Sequence, residues 1–207
     1  MPEGDVQTEL LVSGNCGDTK LATIKHKFIG HQVCSNTKIL IIGTFNPDVN
    51  GNEADFFYGR NRNYLWNLLP GVFNQKGLKN SALIEKKKFM ESYKIDFVDL
   101  IEEIKIDMGQ ENNYSDDYID SKVSEWSNIL SILKSLRDIK EVYFTRSTVS
   151  GIPNIEIKIR EIELYCNNNG IKFDYLLTPA RFESENKLKR WKEVFNRNAT
   201  IASANPA

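Results

Sequence analysis

The segment "KILIIG", residues 38–43, carries an unbroken apolar run of strand length that ends at a glycine. Because successive side chains of a strand point to opposite faces, such a run predicts a strand that is buried on both faces. Sheets covered on both faces are mainly parallel sheets, in which crossover helices pack against each side. This one segment therefore favours an α/β fold.

Three later segments, "IDFVDL", "EVYFT" and "IKFDYLL", also have the length and apolar content of strands. Helical patterns separate them, and strands that alternate with helices indicate a parallel sheet with helices on both sides. The sequence thus predicts an α/β protein, a three-layer α/β/α sandwich with a central, mostly parallel four-stranded sheet. The predicted strands are 38–43, 95–100, 141–145 and 171–177, and the predicted helices lie near 63–74, 121–137, 154–167 and 185–196.

The chain of 207 residues is of the size of one compact domain. Residues 1–25 are polar and aperiodic, which predicts an N-terminal arm, followed by a single domain over 26–200 and a tail over 201–207. The 27 basic and 28 acidic residues nearly balance, so no global positive field indicates nucleic acid. A local basic patch remains compatible with DNA, because many DNA enzymes contact a short backbone segment.

The cysteine and histidine counts bear on which kinds of site the chain can hold. The three cysteines form no C-x-x-C pair, and there are two histidines, which argues against a disulfide framework, a zinc site and an iron–sulfur cluster. No stretch approaches the roughly 20 apolar residues of a membrane span. We therefore expect a cytoplasmic monomer that needs no metal and no cofactor.

The segments at the carboxyl ends of the predicted strands are "GTFNP", "DLIEE", "FTRST" and "LLTPA". In parallel sheets, ligands bind beyond these ends. The first end continues into a long loop that carries three consecutive rings and two arginines, Arg60 and Arg62. Rings stack on bases and guanidinium groups bind phosphates, so the loop favours a nucleic-acid site. The alternative is that the rings pack in the core and the arginines are solvated.

Five segments, in this order, resemble the uracil-DNA glycosylase superfamily. They are "ILIIGTFNP", "FFYGRNRNYLWNLL", "IDFVDLIEE", "YSDDYI" and "YLLTPARFESENKLKRW", and they span most of the chain. The resemblance is closest to the branch of mismatch-specific and hypoxanthine-DNA glycosylases. It implies a uracil-DNA glycosylase-like fold and a base excision repair enzyme with DNA as its partner. Such an enzyme flips a deaminated base, of uracil or hypoxanthine type, and hydrolyses its N-glycosidic bond.

The resemblance also implies catalytic roles. Asn46 matches the family's Asn that positions the attacking water, with one extra residue after Gly43. Asp48 is the alternative water activator, because a carboxylate also stabilises a cationic sugar. Asp99 matches the position that reads the base edge; its other interpretation is a supporting or helix-capping aspartate. The base-stacking candidates are Phe45, Phe57 and Tyr58.

The DNA-contacting candidates follow from the same resemblance. Thr178 stands where the family has a Ser or a His, so a histidine-assisted mechanism is excluded at that position. Arg181 and Phe182 take the place of the side chain that fills the gap left by the flipped base. Arg62 and Asn63 match an Arg-Asn pair, and we expect Asn63 to hold the loop or cap the following helix. An ordinary surface loop is the alternative for this group.

Two other functions remain open from the sequence. A catalytically inactive DNA- or nucleotide-binding protein with the same fold is the main alternative, because of the register of "FNPD" and the missing histidine. A hydrolase or transferase acting on a small nucleoside is a third, although the sequence has neither a G-x-S-x-G elbow nor a P-loop.

Overall fold

The computed structural model of the protein describes residues 21–110 and 113–197. Seven strands and six helices occur in these ranges. The strands are β1 (Leu21–Lys25), β2 (Ile39–Gly43), β3 (Ile95–Asp99), β4 (Ile101–Asp107), β5 (Val123–Trp126), β6 (Glu141–Phe144) and β7 (Lys172–Tyr175). The helices are α1 (Leu65–Val72), α2 (Leu83–Tyr93), α3 (Asp116–Asp120), α4 (Ile129–Ser135), α5 (Pro153–Asn168) and α6 (Glu185–Asn196).

The main sheet has four strands in the order β3-β2-β6-β7, and every neighbouring pair is parallel. All five residues of β2 are buried. Ile39 and Ile41 belong to one hydrophobic cluster, and Leu40 and Ile42 belong to the other, as the alternation of side chains in a strand requires. The four strands predicted from the apolar runs are confirmed, together with their parallel arrangement.

Helices cover both faces of this sheet. The cluster on one face includes Trp66 of α1, Phe89 of α2 and Trp191 of α6. The cluster on the other face includes Leu133 of α4 and Ile155 of α5. The predicted three-layer α/β/α architecture is therefore confirmed, although α2 has no counterpart among the predicted helices.

A second, antiparallel sheet has the strand order β1-β4-β5 and shares the core of α4 and α5. The helix predicted near 121–137 is wrong over its first half, because Val123 and Trp126 lie in β5. Their spacing imitates a helix, but β4 offers an edge on which this segment pairs. The helix itself begins later, where the Asn128 side chain accepts a hydrogen bond from the Ser131 N–H.

The folded domain begins earlier than the sequence indicated. Residues Leu21–Lys25, within the predicted arm, pair with β4 over their whole length. The short, partly buried strand lacks a strong apolar alternation, which is why it resembles an arm in sequence. The remainder of the predicted arm and the predicted tail at 201–207 lie outside the described residues. Within the described ranges, no helix combines the length and apolarity needed to cross a membrane.

Candidate functional site

A cavity of about 560 Å³ lies at the carboxyl ends of the four parallel strands. Thr44, Phe45 and Asn46 line it after β2, and Asp99 lines it at the end of β3. The segments after β6 and β7 contribute Thr145–Thr148 and Thr178–Arg181. The long loop after β2 and the segment before α3 complete the wall. The predicted ligand edge of the sheet is therefore a continuous concave site.

Asn46 carries a buried donor with no hydrogen-bond partner among the described residues. The Ala54 N–H binds Asn52 Oδ1 at 3.2 Å, which leaves the Asn52 amine to donate to Asn46 Oδ1 at 2.7 Å. These two hydrogen bonds determine which side-chain atom is the oxygen and which is the nitrogen in both amides. Asn46 lines the cavity and is 5% exposed, and its buried Nδ2 is left without a partner among the described residues. Because unpaired buried donors are costly, this one indicates a place for a ligand or water.

Asp99 is hydrogen-bonded to His26, a residue that the sequence patterns did not assign to the site. His26 Nε2 lies 2.8 Å from Asp99 Oδ2, and both residues are buried. The Phe28 backbone N–H binds His26 Nδ1 at 3.0 Å. Since Nδ1 accepts that bond, the ring proton is on Nε2 and is donated to Asp99. The carboxylate is thereby oriented with one oxygen bound to His26.

Tyr58 reaches the same part of the cavity. Its hydroxyl lies 3.0 Å from Thr145 Oγ1, and Thr145 donates its own proton to the Ile42 carbonyl at 3.1 Å. The Tyr58 proton is therefore directed to Thr145. Burial, and then the charge of Asp99, raise the pKa of Tyr58 well above its usual value, so the hydroxyl stays neutral. Its φ of 57° is strained for a non-glycine residue, as occurs at functional sites.

A second carboxylate, Asp116, faces the cavity from the start of α3. It forms an ion pair with Arg146 and a side-chain hydrogen bond with Thr44 of the loop that carries Asn46. Burial raises the pKa of Asp116 above its usual 3.8, and Arg146 opposes that shift. The pair thus places a partly neutralised carboxylate next to the loop after β2.

Two loops are joined along one side of the cavity. Asn63 and Ala180 form an antiparallel bridge, and the Tyr64 N–H donates to the Pro179 carbonyl at 2.9 Å. Asn63 Oδ1 accepts from the Leu65 N–H at 3.0 Å, at the start of α1, so it holds the loop as expected. The buried Lys187 ammonium donates to the carbonyls of Ala180 and Phe182 at 3.1 and 2.7 Å. It secures the loop after β7 from beneath.

Exposed arginines and one exposed ring lie at the mouth of the cavity. Arg60 and Arg181 line the cavity, and Arg62 lines a neighbouring depression that shares Arg60 with it. Phe182 follows Arg181 and is 59% exposed. Lys187 lies beneath this ring, with Nζ 4.3 Å from its centroid. Arginines beside a protruding ring are the groups that bind a nucleic-acid backbone and stack on its bases.

The structure brings together most of the predicted site residues. The cavity is lined by Phe45, Asn46, Tyr58, Asn63, Asp99, Thr178 and Arg181. Arg62 and Phe182 lie beside the mouth and not in its lining. Their roles in binding and catalysis stay predictions.

Two predicted residues lie elsewhere. Phe57 is 2% exposed and packs in the core, 6.1 Å from the Phe97 ring centroid, so it has no free face for a base. Asp48 is exposed and outside the cavity lining, because its backbone N–H is bound to the Lys25 carbonyl at 2.8 Å as the chain leaves the site. Neither is placed for the role assigned from the sequence.

Sequence reasoning missed His26, Asp116, Thr145 and Arg146. The last two belong to "FTRST", one of the four strand ends expected to face a ligand, and Asp116 belongs to "YSDDYI". His26 gave no signal, because it follows a strand that resembles an arm. Among the described residues, no group of three or more His, Cys, Asp or Glu side chains is arranged to hold a metal ion.

Fold and site together define a three-layer α/β protein with a polar, ring-lined cavity at the carboxyl ends of its parallel strands. No protein-family model and no curated protein sequence match the chain. Among solved structures it is similar to the solution NMR structure of a protein from Methanosarcina acetivorans described as a "putative Uracil DNA glycosylase". The TM-score is 0.55 and the identity 19%, over 80% of this chain and 92% of the other. The uracil-DNA glycosylase-like fold expected from the motifs is thereby confirmed; the branch within it stays a prediction.

Proposed function

We propose that the protein is a DNA glycosylase of base excision repair, which hydrolyses the N-glycosidic bond of a flipped, deaminated base of uracil or hypoxanthine type. The observation that carries this proposal is the unpaired, buried Nδ2 of Asn46, a residue in the lining of the cavity at the strand ends. The shared fold supports it as an analogy. Asn46, at the position that the motifs assign to water binding, is the proposed catalytic residue.

The chemistry requires a water molecule and stabilisation of a cationic sugar. A water that accepts a hydrogen bond from Asn46 Nδ2 keeps a second lone pair for attack on C1′ of the sugar. Asp116 replaces Asp48 as the proposed carboxylate partner, since it lines the cavity and binds Thr44 of the same loop. Its negative charge favours an oxocarbenium-like transition state, and its raised pKa makes it a better acceptor for the proton that the water loses.

The cavity suits a flipped base. A volume of about 560 Å³ lies within the range of small-molecule sites. Phe45 offers a ring in the lining, and Asp99 offers a carboxylate oxygen to the base edge. At the mouth, Arg60, Arg62 and Arg181 are placed for phosphates, and Phe182 is placed to fill the space that the base leaves.

The test uses a panel of duplex oligonucleotides, each with one uracil, hypoxanthine, xanthine or thymine mismatch. Incubation with the protein is followed by alkaline strand scission, which reports each excised base as a cleaved strand. We expect cleavage of at least one substrate. Asn46→Ala is expected to abolish it, whereas Asn167→Ala, an exposed asparagine at the end of α5, serves as the matched control and retains it.

The second candidate is a DNA- or nucleotide-binding protein without activity. It is favoured by the position of Asp48, which lies outside the cavity, and by Thr178, which stands where the family has a Ser or a His. Binding of the same duplexes without excision of any base would support it. Release of bases from free nucleosides but not from DNA would instead indicate a nucleoside hydrolase.

A further inference from the structure

We propose that His26 fixes Asp99 as an obligate hydrogen-bond acceptor, so that the cavity selects bases that present an N–H group to Asp99 Oδ1. The inference rests on the proposed function in that it takes a base as the ligand of this cavity. It assigns His26 as a positioning residue and the N–H-bearing base as the ligand class.

The polarity of the pair follows from the bonds of the histidine ring. His26 Nδ1 accepts from the Phe28 N–H at 3.0 Å, so this nitrogen carries no proton. The proton on Nε2 points at Asp99 Oδ2, 2.8 Å away. Whatever group stands at residue 99 must therefore offer an acceptor to His26, and its other atom is left for the cavity.

The histidine ring has no freedom to change this arrangement. It is buried among three rings, with centroid distances of 5.5 Å to Phe57, 5.9 Å to Phe45 and 6.0 Å to Phe28. The His26 backbone N–H donates to the Glu102 carbonyl at 2.8 Å, and His26 forms an isolated antiparallel bridge with Pro47. His26 is thus attached both to β4 and to the loop that carries Asn46.

The second oxygen of Asp99 is left available for a ligand. Asp99 Oδ1 lies above Gly43, and the Tyr58 hydroxyl lies over the same glycine. The Tyr58 proton is directed to Thr145, whose own proton is bound to the Ile42 carbonyl, so this hydroxyl does not satisfy Oδ1. Because Asp99 lines the cavity, Oδ1 is placed to accept a hydrogen bond from a ligand.

Such an oxygen binds hydrogen-bond donors of a ligand and not acceptors. A carboxylate that already accepts from His26 offers only lone pairs, so it pairs with a ring N–H or an amino group and repels a carbonyl or ring nitrogen lone pair. Sites that hydrogen-bond a ligand donor reject analogues that lack it, because the buried partner is left unpaired. Uracil, hypoxanthine and xanthine carry ring N–H groups, whereas methylation of that nitrogen removes the donor.

The experiment replaces the hydrogen-bond acceptor that residue 99 offers to the cavity with a donor. The ligands are duplexes with one uracil or hypoxanthine on a 2′-fluoroarabino sugar, which resists hydrolysis, and matched duplexes in which the ring N–H is methylated. In Asp99→Asn, the Nε2–H of His26 holds the amide oxygen, so the amide N–H faces the base N–H. We expect dissociation constants for the unmethylated bases to rise about tenfold, and the preference over the methylated bases to shrink.

A second substitution separates this mechanism from a structural role. In His26→Phe/Asp99→Asn, nothing holds the amide oxygen, so the amide rotates and again offers its oxygen to the base. Affinity is then expected to recover at least threefold over Asp99→Asn, which a merely structural histidine would not allow. His26→Gln/Asp99→Asn should recover in the same way, because a glutamine amide can turn either atom to Asn at residue 99, and it preserves a polar side chain if the phenylalanine variant folds poorly.

Controls distinguish failure of this inference from failure of the proposed function. Thermal unfolding and binding to a duplex with an abasic site report folding and base-independent affinity. Double variants that bind no better than Asp99→Asn would overturn the role of His26, and a wild-type protein that does not prefer the N–H base over its methylated form would overturn the ligand class. Both outcomes come from binding, so they hold whether or not the protein excises any base; absence of excision alone counts against the proposed function.

Discussion

Gly43 lies directly beneath the carboxylate of Asp99, its register partner on the neighbouring strand. A Cβ at residue 43 would stand 2.1 Å from Asp99 Oδ1 and 2.6 Å from the Tyr58 hydroxyl oxygen. A Cβ atom does not approach non-bonded atoms this closely, so a side chain at residue 43 would displace the carboxylate or the hydroxyl. The glycine at the end of β2 is therefore what allows two polar groups to meet at the floor of the cavity.

Gly43→Ala is expected to displace Asp99 and Tyr58 and to reduce base binding and excision on the order of 10²-fold, because small misplacements at a site have large kinetic costs. The fold should survive at a cost of about 1–3 kcal/mol from overpacking. Excision assays and thermal unfolding measure the two effects. Gly30→Ala, where an added Cβ meets no atom within 4 Å, is the matched control. Unchanged excision by Gly43→Ala would show that the floor geometry is not needed.

Asn52 orients Asn46, so its loss should weaken the contribution of Asn46 to excision. Asn52→Ala removes the donor to Asn46 Oδ1, and the Asn46 amide is then free to rotate. We expect excision to fall by about 10-fold or more through misorientation of the water, and the free energy of unfolding to fall by about 1–3 kcal/mol. Asn50→Ala, two residues away and exposed, should leave both quantities unchanged. Full activity of Asn52→Ala would remove the orientation argument for Asn46.

Much of the fold was predictable because β2, β3 and β6 are almost entirely buried and therefore rich in apolar residues. The half-exposed β7 was predictable because the apolar residues Ile171 and Leu176 flank it. The antiparallel sheet was not, because β1 and β5 are short and half-exposed, and the spacing of Val123 and Trp126 fits a helix as well as a strand. At the site, the positions of Asn46 and Asp99 were predictable because both residues lie at the carboxyl ends of predicted strands. His26 and Asp116 come from other parts of the chain, and only tertiary packing brings them to the cavity.

The loop after β7 provides a prediction about salt dependence. Lys187 is buried and bonds to loop carbonyls, and burial lowers its pKa, whereas Arg181 is exposed at the mouth. Arg181→Asn, which tolerates the φ of 78° there, should reduce the slope of log affinity against log salt by about 0.9, for one lost phosphate contact. Lys187→Met should leave that slope unchanged but lower stability by about 1–3 kcal/mol.

Titration of DNA binding against salt and thermal unfolding check both variants. Lys189→Met, an exposed lysine on α6, controls for the loss of one charge on the same helix. A change of slope in Lys187→Met equal to that of Arg181→Asn would show that Lys187 contacts phosphate.

Asp116 should make stability fall as pH rises through the acid range. Its pKa in the folded chain is raised above the usual 3.8 by burial, so between these two values the folded state holds a proton that the unfolded state has lost. Asp116→Asn should remove this part of the pH dependence of the unfolding free energy. Arg146→Met should raise the pKa of Asp116 further, because it removes the favourable charge. A lowered Asp116 pKa in that variant, measured by carboxyl NMR titration, would contradict the ion-pair assignment.

Three tyrosines with raised pKa values should make the protein sensitive to alkali. Burial raises the pKa of Tyr58 and of Tyr143 well above the usual 10, and it raises that of Tyr175 to about 12. Above pH 10 the unfolded chain loses these protons while the folded chain keeps them, so the free energy of unfolding falls as pH rises. Spectrophotometric titration of tyrosinate should show Tyr58, Tyr143 and Tyr175 ionising later in the folded protein than in the unfolded chain, and Tyr58→Phe should lose one of these late ionisations. If Tyr58→Phe lost no late ionisation, the Tyr58 hydroxyl would not be buried beside Asp99, and the arrangement over Gly43 would be wrong.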